Sequence, residues 1–365
     1  MRLLSTKDLT LHLFFDDAIP KYTILSHTWG KEEVTHQEML NPTRAIQEKA
    51  GYEKIRRCAE ISYDEGYEYT WIDTCCIDKT SSAELSESIN SMFAWYRKAA
   101  YCLVYLEDFH GNHLKDLTGD IRWFQRGWTV QELIAPVLVV FYSASWGVIE
   151  EAHFFTKKLE KLTSIDQSVL RRSSSLDEIS IAKKMSWFAN RTTTRVEDMA
   201  YSMLGIMGIN MPLIYGEGEV AFRRLQEEII RNSDDASILL WKGTTEAAFD
   251  FRDPLARSPK EFSFANAPQA PDASFDEPFA MTNKGLALKA DLISVAEAYS
   301  DFDAGFPDYM HLYEDVQRRS LFLLPIESAE KQNDDTSSLH FLVLRQVRSK
   351  PNQAFRIKSN LAGRL

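Results

Sequence analysis

Four short runs of almost unbroken apolar residues limit how this chain can fold: Tyr22 to Ser26, Tyr69 to Asp73, Cys102 to Leu106 and Val137 to Tyr142. A strand with one wet face alternates apolar and polar side chains, whereas a strand covered on both faces need not. Amphipathic stretches at helical spacing lie between the runs. Tyr52 to Gly66 puts Ile55, Cys58, Ala59 and Ser62 on one face. Ser81-Ser82-Ala83-Glu84 reads as a capping box, and the stretch it opens aligns Ile89, Met92, Phe93 and Tyr96. Strand and helix in alternation predict an α/β fold, a mainly parallel sheet with helices on both faces. Ligands in such sheets settle outside the carboxyl ends of the strands. The loop His27-Thr28-Trp29-Gly30 and the loop Asp73 to Asp78 therefore fall on one edge, and both carry polar and aromatic residues beyond what a turn needs.

The stretch Ile121 to Ala135 is predicted to be one helix leading into the fourth run. Trp128 and Glu132 stand four residues apart on it and share a face. A ring and a carboxylate facing the same way suit a planar ligand, but the spacing alone better suits a half-buried tryptophan beside a solvated glutamate. Domain organisation is read as three parts: 1–150 as the α/β domain, 151–238 as a helical extension packed on it, and 239–365 as a β-rich accessory region. Within the second part the clearest helices are Ile179 to Ala189, Val196 to Gly205 and Val220 to Ile230, interrupted by Met211 to Gly218. In the third, Pro254 to Pro278 reads as a long loop or linker. The β-like runs there are Gly285 to Leu292, Leu321 to Ile326, Leu339 to Val347 and Phe355 to Ile357. A strand-like segment so close to Leu365 suggests a fragment of a longer protein.

Several chemistries lack their residues. A net charge of -11 argues against a general affinity for nucleic acid or anionic membranes. No run has the apolar length of a membrane span, and Met1-Arg2-Leu3-Leu4-Ser5 does not open a signal peptide. A cytoplasmic protein is expected. The four cysteines, with Cys75 and Cys76 adjacent, do not make a secreted disulfide framework and read as buried small side chains. His110 and His113 near Cys102 read as surface histidines rather than metal ligands. There is no phosphate loop of the Gly-x-x-x-x-Gly-Lys type, no Gly-x-Gly-x-x-Gly after the first strand and no Gly-x-Ser-x-Gly elbow.

Three blocks are more specific. Tyr22-Thr23-Ile24-Leu25-Ser26-His27-Thr28-Trp29-Gly30, Trp71-Ile72-Asp73-Thr74-Cys75-Cys76-Ile77-Asp78 and Arg126-Gly127-Trp128-Thr129-Val130-Gln131-Glu132-Leu133 resemble the signature blocks of the fungal heterokaryon incompatibility (HET) domain, in that family's order and spacing. Arg195 to Ser202, Tyr215 to Gly218 and Arg223 to Gln226 resemble segments on the carboxyl-terminal side of the domain in many members. The resemblance implies cell death on recognition of non-self, in vegetative incompatibility or innate immunity. It also implies a homo-oligomer on activation and a NACHT/NLR-type sensor in cis or in trans. The family has been likened to Toll/interleukin-receptor (TIR) domains, flavodoxin-like folds many of which cleave NAD+ with a helix glutamate in a Trp-Cys-Leu-x-Glu-Leu pattern. Trp128 to Leu133 is similar to that pattern, with Thr129 and Val130 in place of Cys and Leu. By this likeness Glu132 is the catalytic residue. His27, Trp29, Gly30, Trp71, Asp73 and Trp128 bind substrate, while NAD+ is consumed as substrate and no cofactor is required. Asp78 braces its loop. The alternative is a non-enzymatic module that kills by oligomerising and recruiting a partner, with Trp128 and Glu132 structural or interfacial.

Overall fold

The computed structural model describes residues 1–15, 18–111, 113–241, 254–263, 279–283, 285–288, 293–294, 321–328, 338–347 and 350–364. The chain divides into two compact units, one of Met1–Ser173 with Arg191–Gly216, the other of Ser174–Asn190 with Glu217–Leu365.

The first unit is built on one seven-stranded sheet. Its strands are β1 (Arg2–Ser5), β2 (Leu11–Leu13), β3 (Thr23–His27), β4 (Tyr69–Trp71), β5 (Tyr101–Tyr105), β6 (Val139–Tyr142) and β7 (Val148–Glu151), in the order β2-β1-β4-β3-β5-β6-β7. The four apolar runs are its parallel centre, β4-β3-β5-β6, and every residue of β3, β5 and β6 is buried, as their unbroken hydrophobicity requires. Both margins are antiparallel, with β1 on β4, β2 on β1 and β7 on β6. These strands are short, and no apolar run announces them. Numbered among themselves, the parallel strands follow the order 2-1-3-4, the flavodoxin-like winding.

Helices α1 (His36–Leu40), α2 (Arg44–Gln47) and α3 (Ala50–Asp64) lead from β3 to β4, and α4 (Asp73–Cys76) and α5 (Ser82–Lys98) from β4 to β5. The two connections run in opposite directions across the sheet. Right-handed crossovers therefore place α3 on one face and α5 on the other. The helix expected over Ile121 to Ala135 is two, α6 (Arg122–Gln125) and α7 (Thr129–Ile134). The break has a tertiary cause. Arg126 is extended (φ -85, ψ 141) and bridges Thr192, the Gly127 N–H donates to the Thr192 carbonyl at 3.0 Å, and the Thr192 N–H donates to the Gln125 carbonyl at 2.7 Å. A Cβ on Gly127 would stand 2.9 Å from Thr193 Cγ2, so only glycine lets that segment approach. Ser81 caps α5 by accepting from the Glu84 N–H, but the box does not close, because the Glu84 carboxylate accepts from the Asp78 N–H at 2.8 Å and pairs with Arg2 at 2.5 Å. Asp73 opens α4 instead of ending a strand. After β7 come α8 (Thr156–Thr163) and α9 (Gln167–Leu170).

In chain order α10 (Ile181–Ser186) belongs to the second unit, α11 (Val196–Tyr201) and α12 (Leu204–Met207) to the first, and α13 (Val220–Asn232) to the second. Asp235 ties the second unit together by accepting from the N–H groups of Ile181 at 2.7 Å and Ser237 at 2.9 Å. The Gln226 amide exchanges two 2.9 Å hydrogen bonds with the Ala256 backbone. Further on lie the hairpin β8 (Ala280–Thr282) and β9 (Gly285–Ala287), and an antiparallel sheet of β10 (Ile293–Ser294), β11 (Leu321–Ser328), β12 (Ser338–Val347) and β13 (Lys350–Arg364). Of the four β-like runs read in the sequence, the last three fall on β11, β12 and β13, and the first opens on β9, with 289–292 outside the described residues. Most of the loop read over Pro254 to Pro278 lies outside the described residues, though Pro259–Phe262 forms a 3₁₀ turn. Among the described residues no helix is long and apolar enough to cross a membrane.

Candidate functional site

The site grows from the carboxyl ends of β3 and β4. Ser26, the one hydroxyl at that end of β3, turns toward α7 and donates to Glu132 Oε2 at 2.5 Å. A third residue meets the same oxygen: Trp123 Nε1, which can only donate, donates to Ser26 Oγ at 2.8 Å, and the serine proton is free to point at the carboxyl group. Burial pushes the Glu132 carboxyl up to about 8. The charge of Asp73 adds to that shift, while the Ser26 hydrogen bond and the charges of Arg126 and Arg191 restrain it. Glu132 therefore carries its proton at neutral pH. Arg191 is itself buried, donates to the Arg126 carbonyl at 2.8 Å and to Thr129 Oγ1 at 2.9 Å, and so fastens the α6–α7 junction from below.

Asp73 has the opposite character. Burial alone would raise its carboxyl, but the Lys79 charge and hydrogen bonds from His27 and Trp29 outweigh it and hold the group well below the usual carboxylate range. Trp29 Nε1 donates to Oδ2 at 2.8 Å, and His27 Nε2 lies 3.0 Å from Oδ1, as a donor toward a carboxylate that can only accept. Trp29 is 40% exposed yet fixed at both ends, since Arg122 donates to its carbonyl at 2.8 Å and the Lys79 ammonium sits 3.5 Å from its ring centroid. Glu132 and Asp73 thus differ in protonation, one neutral and one ionised, which is the division acid–base chemistry exploits.

These groups face a cavity of about 270 Å3. His27, Trp29, Asp73, Trp128 and Glu132 all line it, so five of the seven residues singled out in the sequence meet there. Leu85, Ile89, Met92 and Tyr96 of α5 supply an apolar wall, and Thr194, Arg195, Asp198 and Tyr215 close the far side. Two residues do not belong. Trp71 is fully buried and packs edge-on against Trp95 and Tyr96 at 5.6 and 5.8 Å, because a side chain inside a central parallel strand is covered on its own face. Gly30 lines a separate cavity of about 500 Å3 with Glu33, Lys54, Glu107 and Arg122, and its N–H donates to Glu33 Oε1 at 2.6 Å.

Sequence reasoning misses Ser26, Lys79, Trp123, Arg126, Arg195, Asp198 and Tyr215 as site residues. A serine in a buried apolar run is the one local signal. Asp198 and Tyr215 are joined by a 3.0 Å hydrogen bond from the tyrosine hydroxyl, a contact between separate segments that spacing does not reveal. Among the described residues no cluster of His, Cys, Asp and Glu is placed to hold a metal ion.

Residues 22–118 match the family described as heterokaryon incompatibility protein (HET), which covers the His27 and Asp73 loops and ends before Glu132. Residues 220–299 match a domain of unknown function, DUF8212. Over 236 residues the chain is 46% identical to the vegetative incompatibility protein HET-E-1 of Podospora anserina, an alignment that covers 61% of this chain and 17% of that protein. No solved structure matches. The chain carries a heterokaryon incompatibility (HET) domain.

Proposed function

We propose that the chain acts in heterokaryon incompatibility as a cell-death domain, and that its cavity binds NAD+ and hydrolyses the nicotinamide–ribose bond with Glu132 as the catalytic carboxyl group. Three things support the incompatibility role: the HET match, the similarity to a vegetative incompatibility protein, and the signature blocks that resemble the family. The observation that carries the chemistry is Glu132 fixed by Ser26 in a cavity it shares with an ionised Asp73 and the tryptophans Trp29 and Trp128. In this reading the trigger is self-association driven by a NACHT/NLR-type sensor in cis or in trans.

The glycosidic bond breaks through an oxocarbenium-like state, with nicotinamide leaving as a neutral ring and water completing the ribose. Glu132 enters protonated. The positive nicotinamide ring of the substrate, brought against a buried carboxyl group, favours its ionised form, so binding releases the proton. The resulting carboxylate faces the charge that develops on the ribose, where an opposite charge in a dry site counts most. Asp73, already ionised and held by His27 and Trp29, is placed to accept from ribose hydroxyls. Trp29 and Trp128 offer ring faces for stacking.

The test is nicotinamide release from NAD+ by concentrated purified protein, followed chromatographically for the wild type and Glu132→Gln. Glutamine keeps the size and helix preference of glutamate, so the variant should fold, lose release by two or more orders of magnitude, and lose toxicity in cells. Undiminished release would remove Glu132 from catalysis. A folded variant that still kills without consuming NAD+ would establish the non-enzymatic module instead.

A further inference from the structure

The proposed hydrolysis uses the carboxyl groups of the cavity, yet its lining also holds Lys79, Arg126 and Arg195. Among the described residues these three side chains make no hydrogen bond or ion pair. Two are held by aromatic faces instead: Lys79 stands 3.5 Å from the Trp29 ring centroid, and the Arg195 guanidinium 4.5 Å from that of Tyr215. A cation stacked in this way is oriented without spending its N–H donors, which remain free for a ligand. Arg126 stands in the extended break between α6 and α7, two residues before Trp128.

The opposing charges balance them only in part. Asp73 is ionised and its charge answers that of Lys79, while its oxygens accept from His27 and Trp29. Glu132 is neutral at ordinary pH, so Asp73 and Asp198 are left to face the three cations, and Asp198 already accepts from Tyr215. A positive cavity in a chain of net charge -11 is not a by-product of composition. Phosphate oxygens are the natural acceptors for such a set, since a guanidinium meets two of them at once and an ammonium serves as a point charge.

We propose that Lys79, Arg126 and Arg195 form a diphosphate-binding wall, so that the cavity selects nucleotides carrying a diphosphate over the corresponding nucleosides. The proposal rests on the same cavity as the NAD+ reading but needs no bond to break. The nucleoside rings stack on the tryptophan side, the diphosphate lies along the three cations, and the reacting ribose reaches Glu132.

Calorimetric titration of the full chain with ADP and with adenosine tests it without any turnover. ADP should bind at least about tenfold tighter than adenosine, and the contrast should shrink roughly tenfold in Lys79→Gln and in Arg195→Gln, each of which removes one charged contact. Arg195 is exposed, so the Arg195→Gln protein should melt with the wild type, which keeps its ligand contrast free of any folding effect. Raising the salt concentration on the wild type should weaken ADP and spare adenosine, which reads the same charges without any substitution. Equal affinities for the two ligands, or a contrast that survives both substitutions and high salt, overturns the wall. A chain that binds ADP tightly yet leaves NAD+ intact keeps the wall and discards the hydrolysis. One that cleaves NAD+ and nicotinamide riboside with equal kcat/KM discards the wall and keeps the hydrolysis.

Discussion

Ser26 is where one atom decides the behaviour of the site. Its hydroxyl favours the ionised form of Glu132, against a burial that favours the neutral one. Ser26→Ala should therefore push Glu132 still further up, and the pH at which NAD+ cleavage rises should move above about 8. A pH–rate profile that moves to lower pH, or stays put, would contradict the pairing. The same substitution leaves Trp123 Nε1 buried without its acceptor, so about 1–3 kcal/mol of stability should go with it in urea melts. Glu132 also leaves a signature on stability itself. Its carboxyl titrates near the ordinary 4.5 when unfolded and near 8 when folded. Between those values the unfolded chain has given up a proton that the folded chain keeps. Stability is thus fully present below about 4.5 and is lost as the pH rises to 8, at up to about 1.4 kcal/mol per pH unit from this one group. Glu132→Gln lacks the term, so denaturation at pH 5 and pH 8 should find the variant gaining on the wild type at the higher pH. A constant gap between the two proteins would mean that Glu132 is ionised throughout.

At the scale of elements, the junction of α6 and α7 shows what local pattern cannot see. The residues from Ile121 to Ala135 carry a helical pattern, and a single glycine costs a helix only about 1 kcal/mol, so nothing local forbids one continuous helix. The break is imposed by Thr192, far along the chain, which pairs with Gln125 and Gly127. The four central strands are legible because burial on both faces writes itself as unbroken hydrophobicity, and β1, β2 and β7 are not because a short strand at the margin needs no such run. Trp71 misleads for a related reason. An aromatic residue near the end of a parallel strand looks poised for a ligand, but only a residue beyond the last covered position reaches the edge, as Asp73 does. Trp128 survives the break because it caps α7 in helical geometry, and so still lies four residues before Glu132. Gly127→Ala would drive a methyl group to 2.9 Å from Thr193 Cγ2 and 3.1 Å from Ser202 Oγ. It should cost about 1–3 kcal/mol as overpacking does, and it should weaken ADP binding by displacing Arg126 and Trp128 on either side. A variant with wild-type melting temperature and wild-type ADP affinity would show that the junction is not held by this approach.

The whole molecule assembles its cavity from residues separated in the chain. β3, α4, α5 and α7 supply one side, while Thr194, Arg195, Asp198 and Tyr215 arrive after the excursion 174–190 that belongs to the other unit. The returning segment is seated by contacts of its own. Asn90 of α5 brackets Met211, donating to its carbonyl at 3.3 Å and accepting from its N–H at 3.1 Å. Gly205 lies so close to Phe93 that a Cβ there would meet the phenylalanine Cβ at 2.0 Å. A chain ended at Ser173 loses these contacts, the cation of Arg195, and the partners of Gly127, Gln125 and the Arg126 carbonyl. Each stranded backbone group would cost on the order of 1 kcal/mol. A chain ended at Ser263 keeps every residue that lines the cavity, together with the Asp235 and Gln226 hydrogen bonds that close α10 and α13. The expected outcome is that residues 1–263 bind ADP within about threefold of the full chain, whereas residues 1–173 melt earlier and bind ADP at least about tenfold more weakly. Full-strength binding by the shorter piece would mean that the cavity is complete without Arg195, Asp198 and Tyr215. Loss of binding by residues 1–263 would be equally damaging, because the cavity would then depend on residues beyond 263, and among the described residues none of those line it.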